Sequence, residues 1–411
     1  MAIELDDVKL TFCEWLDLKQ HQLIDVIFGT VIANEFQTDP VSLYVIGPPS
    51  VGKTEVLRAL NSYPKVYPIS TLTPNTLISG MKGQGRSLLL SLKDSGKSIL
   101  IVKDFTTILE TKADARAELI SQIREVMDGS YRKSFGTGKT ISWEGKLSLI
   151  CGVTPVIDRY HSVHSVLGER FLNFRFEANE EDRMSEKAIS MTGHEKAMRR
   201  ELQGITSDFL QQFQTPKIEC IKVADDIKTK IFGLVSLVAK GRTGVSRDHY
   251  TQMIDYLPQP EGTPRLIKQI WTLGCGISVI QRKDEIDNVI YSILKQVGRD
   301  SLPNHRDRIL ETMFENKFYS SGWETTKGLS KLLNCPTQTA RIYLEDMMMV
   351  GLLNRKIQGE DNEEDDSWKT KQTAPYLWQL SGKCVELIQK SETYEVEDNA
   401  AEYDENFDFK P

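Results

Sequence analysis

Residues 47–54 read Gly47, Pro48, Pro49, Ser50, Val51, Gly52, Lys53 and Thr54: glycine, four residues, glycine, lysine, then a hydroxyl. Glycines let a backbone curl until successive N–H groups point at phosphate oxygens. Lys53 supplies a point charge for β- and γ-phosphates, and the Thr54 hydroxyl is a ligand for Mg²⁺. The apolar run over residues 41–46 predicts a buried strand before this loop, and residues 55–61 predict a helix after it, whose dipole adds a positive end. In that context the eight residues predict binding of a nucleoside triphosphate, ATP with Mg²⁺.

Other residues point to the same chemistry. Four apolar residues, 99–102, lead to Asp104, placed as a carboxylate at a strand end that holds the cation. The preceding position carries Lys103 where many such hydrolases have an acid. Either Asp104 both holds metal and activates water, or Glu125 or Asp128 activates the water. A third apolar run, 147–154, ends on Thr154, placed to sense the γ-phosphate or the water. Arg170, before the apolar run 171–176, is either a finger reaching a neighbour's nucleotide or a surface ion pair.

Residues 131–143 alternate around Gly136 and Gly138 and predict a hairpin with Lys139 at its tip, flanked by Arg132 and Lys133. With Phe135 and Trp143 near, the hairpin suits a nucleic-acid backbone; a purely structural hairpin is the alternative.

The 411 residues allow two or three domains with a substantial core. Hydrophobic content of 40% and charged content of 27% are those of a soluble globular chain, and no stretch approaches the roughly 20 apolar residues of a membrane span. Six scattered cysteines suit reduced thiols in a cytosol rather than a disulfide framework or zinc site. The net charge of −7 is concentrated: residues 360–366 hold six acids, and residues 391–411 eight acids against one lysine. Without them 44 acids face 50 bases, a mildly basic body compatible with a polyanion.

Along the chain, residues 1–40 predict a helical leader, 41–178 an α/β nucleotide-binding core with a parallel sheet, and 179–300 a helical lid. Residues 301–385 predict three helices and a two-stranded wing, with Thr325 as an N-cap: a winged helix-turn-helix that meets either duplex DNA or a protein. Residues 386–411 predict a disordered acidic tail. Its terminal acids and phenylalanines suit recruitment of a replication protein; a solubilising tail is the other reading.

In this order the elements resemble an AAA+ ATPase of the minichromosome-maintenance type, above all the MCM-like helicases and ATPases of bacterial phages and mobile elements. The resemblance covers about residues 41–355. Val102, Lys103, Asp104 and Phe105 stand where that family has Asp-Glu-Phe, and residues 135–142 where it has a DNA-contacting hairpin. Thr154 stands at its sensor 1, usually Asn; Glu169, Arg170 and Phe171 match its arginine-finger Ser-Arg-Phe. Thr263, Pro264 and Arg265 open a helix like the one bearing its sensor 2 arginine, a role that Arg265 inherits. Two departures are Lys103 and the lack of room before residue 41 for the family's DNA-binding collar. The resemblance implies a hexameric ATP-driven helicase acting on single-stranded or forked DNA in a bacterial host's cytosol. The rival is a non-motor ATP-dependent switch, a loader, regulator or defence scaffold that recruits proteins.

Overall fold

The computed structural model describes all residues except 1, 80–86, 137, 139, 161–168, 178–180, 214–216, 249, 321, 359–374 and 396–411. Lys139, the acidic residues 360–366 and the end of the tail thus lie outside the described residues. Two units make up the chain, residues 1–304 and 305–411.

The first unit is mixed α/β. Its longer strands are β1 (Ser42–Ile46), β2 (Val66–Ile69), β3 (Ile99–Val102), β4 (Ser130–Ser134), β5 (Thr140–Glu144), β6 (Ser148–Val153) and β7 (Phe171–Arg175), beside a two-residue parallel pair, Lys222–Val223 with Glu285–Ile286. Five form one parallel sheet in the order β2-β3-β6-β1-β7. Strands β1, β3 and β6 are buried at every residue, as parallel strands covered on both faces must be. Pro68 lies within β2, which is tolerable because β2 is an edge strand and misses no ladder bond toward a second neighbour.

The leader is built into this unit. Helix Gln22–Ala33 is buried at all positions but the first and lies on helix Thr263–Ile280. Their backbones touch: a Cβ on Gly276 would stand 2.2 Å from the Gly29 carbonyl oxygen. Asp25 is tolerated in this apolar layer because Lys9 Nζ lies 2.6 Å away and Gln281 Nε2 donates to it at 2.9 Å. Asn34 ties the leader to the sheet, donating to Val41 O and Ser148 Oγ while accepting from Val41 N. Helices Leu5–Leu16, Ala113–Met127, Glu181–Met191, Glu195–Leu210, Asp225–Gly241 and Asn288–Asp300 also belong to the unit.

In the second unit, helices Thr326–Leu332, Thr337–Met349 and Gly382–Ser391 follow helix Asn304–Glu315. Strands Glu324–Thr325, Tyr376–Leu380 and Leu353–Ile357 lie antiparallel in that order, one strand more than expected. Fully buried Trp378 is the centrepiece, its indole N–H donating to Thr326 Oγ1 at 2.8 Å. Thr325 caps its helix by accepting from Gly328 N. A correction concerns the tail: helix Gly382–Ser391 runs through position 386, and Tyr394 is buried with its hydroxyl donating to Asp307 at 2.7 Å. The apolar residues Leu387, Ile388 and Tyr394 outweigh the local acids. Among the described residues no helix is long and apolar enough to cross a membrane.

Candidate active site

β1 ends at Ile46, and the chain turns at once. Gly47 N donates to Val153 O on β6, and Phe176 N to Ile46 O, which pins the loop's start between two neighbouring strands. Ser50 and Gly52 adopt left-handed φ values of 65° and 89°. Glycine takes that conformation without strain, whereas Ser50 carries a cost of order 1 kcal/mol. Lys53 then opens helix Lys53–Ala59, and its Nζ donates back to Gly47 O at 2.7 Å and to Pro48 O. Partial burial lowers the ammonium's pKa, while the Asp104 carboxylate pushes it up. The helix is braced from outside by Arg199, whose guanidinium donates twice to Glu55 at 2.9 Å.

Strand β6 lies between β1 and β3, so Thr154, just past β6, stands between the ends that carry Lys53 and Asp104. Asp104 is exposed, and its Oδ1 accepts from Thr106 N at 3.0 Å. Thr106 Oγ1 in turn accepts from Thr154 N at 3.0 Å and donates to Thr154 Oγ1 at 3.2 Å. Sequence reasoning missed Thr106; its position two residues after Asp104 was the only signal. Phe105, the residue after Asp104, is buried against Tyr44, which stacks on Phe171 at 3.9 Å.

This donor set fits a triphosphate with a hard cation. Lys53 is a cation at the end of a curled loop, and Thr54 and Asp104 carry side-chain oxygens of the kind a hard cation takes. Among the described residues no three His, Cys, Asp or Glu side chains cluster as a metal cage. One carboxylate and one hydroxyl would leave phosphate oxygens and water to complete a Mg²⁺ shell, the habit of that ion.

The other expected carboxylates are elsewhere. Arg170 precedes β7, whose Phe171 pairs in register with Ser42 at the start of β1. Asp128 accepts from Arg170 Nε at 2.9 Å and from a terminal nitrogen at 2.5 Å. Asp128, and Glu125 one turn before it, therefore belong to the amino edge of the sheet, opposite Lys53. Burial pushes the Asp128 carboxyl up, but Arg170, then Arg265 and Arg124, hold it below the usual range. Arg265 also lies at this edge: with Arg170, Asp128 and Lys268 it lines a cavity of about 850 Å³. Arg124, unmarked in the sequence beyond its place on a helix, is a neighbour of Arg170, Asp128 and Arg265.

β4 and β5 form the expected hairpin. Its aromatics serve the fold: Tyr131 and Trp143 are buried, and Phe135 packs partly against the core. Arg132 is exposed, whereas Lys133 lies 3.6 Å from Glu118.

The chain matches no known protein family and no curated protein. One solved structure, a "putative ATPase" from Cytophaga hutchinsonii, is similar over 72% of this chain and 85% of its own, at 11% identity and a TM-score of 0.43. That likeness is too slight to bear on fold or activity.

Proposed function

We propose that this chain is an ATP hydrolase of the AAA+ kind that works between copies of itself in a ring and moves along DNA, as the MCM-like resemblance implies. The observation that carries the hydrolase reading is the juxtaposition of Lys53, Thr154 and Asp104 on three neighbouring strand ends, at the carboxyl edge where parallel sheets hold their ligands. In this reading Lys53 and the loop N–H groups orient the phosphates, Thr54 and Asp104 hold Mg²⁺, and Thr154, fixed by Thr106, positions the γ-phosphate or the attacking water. When bound, Mg²⁺ neutralises charge that develops on the phosphate oxygens. With Glu125 and Asp128 at the other edge, Asp104 takes the proton from water. Arg170 and Arg265 cannot reach their own chain's loop, which supports action on a neighbour's nucleotide.

The second unit, with four helices, a short strand and an antiparallel pair, is read as a winged helix-turn-helix, and Arg132 as a DNA contact. One observation favours the rival reading of a protein-recruiting switch: the hairpin's aromatics are spent on the core, leaving no exposed pair on which bases would stack. ATP turnover with and without single-stranded and forked DNA, wild type against Lys53→Ala and Arg132→Ala, tests both. Turnover lost in Lys53→Ala supports the hydrolase; DNA stimulation lost in Arg132→Ala supports the motor. Turnover indifferent to DNA would move the reading to the switch.

A further inference from the structure

The second unit is acidic as a whole: residues 305–411 carry 21 acids against 13 bases. Within it, residues 325–344 carry three bases and no acid. They fold as helix Thr326–Leu332, a four-residue turn and the start of helix Thr337–Met349. The turn is fixed by its own backbone. Asn334 takes a left-handed φ of 50°, which asparagine tolerates better than most residues, and Cys335 N donates to Ser330 O at 3.0 Å. The hydroxyls of Ser330 and Thr337 are hydrogen-bonded at 3.1 Å, which pins the second helix to the first. Ala340, Leu344 and Met347, at spacings of four and three, turn one face of that helix into the core. Its other face is left to solvent. Thr337, Gln338 and Arg341 are exposed there, with Lys327, Lys331 and Asn334 exposed on the first helix and the turn.

Two observations say what kind of body meets this face. It is polar and positive: among the described residues of the unit, Leu332 is the one large apolar side chain counted as exposed, at 49%. A protein interface is built around an apolar, aromatic centre, and this surface has none. Arg308 adds another cation, exposed and donating to Leu333 O at the turn. The other observation is that Arg341 is held in place before any partner arrives. Its Nε donates to Glu345 Oε1 one turn on, at 2.8 Å, and its guanidinium lies 5.6 Å from the centre of the Tyr376 ring. The pairing offsets the Glu345 charge that would repel a polyanion. Among the described residues it leaves the two terminal nitrogens of Arg341 open as a planar fork. Such a fork matches O6 and N7 of guanine, and the Gln338 amide, three residues earlier on the same face, matches N6 and N7 of adenine.

We propose that the second unit reads the sequence of duplex DNA, with helix Thr337–Met349 in the major groove, Gln338 and Arg341 on base edges, and Lys327, Lys331 and Arg308 on phosphates. The proposal rests on the winged helix-turn-helix reading above and adds to it the partner, the contacting residues and a further activity, the choice of a site on intact duplex. That activity is distinct from work on single-stranded or forked DNA. A major groove about 12 Å wide admits one helix, and each base pair presents its own pattern of donors and acceptors there. Phosphate contacts position the helix but carry no sequence information, so the two sets of residues fail differently when removed.

The test uses the full chain without nucleotide, so that it does not depend on hydrolysis. The protein selects from a pool of random duplexes over repeated rounds, and the enriched duplex is compared with a shuffled one by fluorescence anisotropy. The proposal expects a shared sequence to emerge, bound roughly 1,000-fold or more tightly than the shuffled duplex. Gln338→Ala, and Arg341→Lys, which keeps the charge but not the fork, should each weaken binding of the enriched duplex by about 5- to 100-fold and leave the shuffled one unchanged. Lys327→Ala combined with Lys331→Ala should weaken both duplexes alike and reduce the salt slope of log Kd by about 2. All four side chains are exposed, and thermal unfolding at the wild-type temperature checks that each variant is folded. Failure to enrich any sequence, or an enriched duplex that these variants bind as wild type does, would overturn the proposal. Duplex binding lost in Arg132→Ala instead would place the contact on the hairpin, which overturns the proposal and leaves the motor reading standing. A wild-type chain that selects a duplex but turns over no ATP would support the proposal and sink the hydrolase reading.

Discussion

Lys53 follows the carboxyl end of β1 and Arg170 precedes the amino end of β7, so the two stand at opposite edges of one parallel sheet. Five residues of strand at about 3.3 Å each separate the edges, more than any side chain spans. A reaction that needs cations from both edges therefore needs two chains. Turnover per chain is expected to rise with protein concentration and fall on dilution, approaching zero where sedimentation finds single copies. A rate per chain independent of concentration would remove the interface from the mechanism.

Thr106 joins Asp104 to Thr154 through its amide and its hydroxyl. Thr106→Val keeps the shape and the amide but removes the hydroxyl. Turnover is expected to fall by about 10- to 100-fold, in the range of one lost positioning hydrogen bond, with nucleotide affinity unchanged. Thr106→Ser, which restores the hydroxyl, should recover most of the rate. Equal losses in the two variants would assign the effect to packing.

Two glycines in helices should respond with opposite signs. A methyl on Gly276 would meet the Gly29 carbonyl oxygen at 2.2 Å, backbone that cannot step aside. Gly276→Ala is expected to lower stability by about 1–3 kcal/mol, as overpacking does. Gly204, within helix Glu195–Leu210, has nothing within 4 Å of a built Cβ, and Gly204→Ala should raise stability by about 0.5–1 kcal/mol. Urea denaturation of the two variants decides it; matching signs would contradict the helix contact.

Lys146 supplies a pH dependence. Its Nζ donates to Phe36 O at 2.8 Å, and burial chiefly, with Lys65 adding to it, pulls the pKa down to about 8 against the pull of Glu35 and Asp39. An unfolded lysine keeps its proton to about pH 10.4. Between pH 8 and that value the unfolded chain carries the extra proton, so this residue's contribution to stability rises with pH, by at most roughly 1 kcal/mol per unit. The stability difference between wild type and Lys146→Met should grow from pH 8 to pH 10. A flat difference would mean the lysine titrates normally.

What the sequence made legible was local. The phosphate loop and the hairpin about Gly136 and Gly138 follow from short spacings and alternation, and they lie where expected. Ser381 was a readable start signal: it caps helix Gly382–Ser391 by accepting from Cys384 N, yet the acids downstream outweighed it as a cue for disorder. The pairing of Arg170 with Asp128, 42 residues apart, was not legible, because an arginine before a strand looks the same whether it reaches out or folds in. Nor was the use of Trp143: alternation marks which residues share a face, not whether that face meets solvent or core.

The leader's contact with helix Thr263–Ile280 bears on how the first unit can be divided. A boundary at residue 41 matches the first strand of the sheet, but it cuts through a packed layer: Leu23, Ile24, Val26, Ile27, Phe28, Val31 and Ile32 are wholly buried. Removing them would leave a glycine-lined trough along the second helix and deprive Val41 and Ser148 of Asn34. The smallest piece able to fold by itself therefore has to begin near Leu5. Any shuffling of this nucleotide-binding core into another protein would have to carry segments from both ends of the unit together.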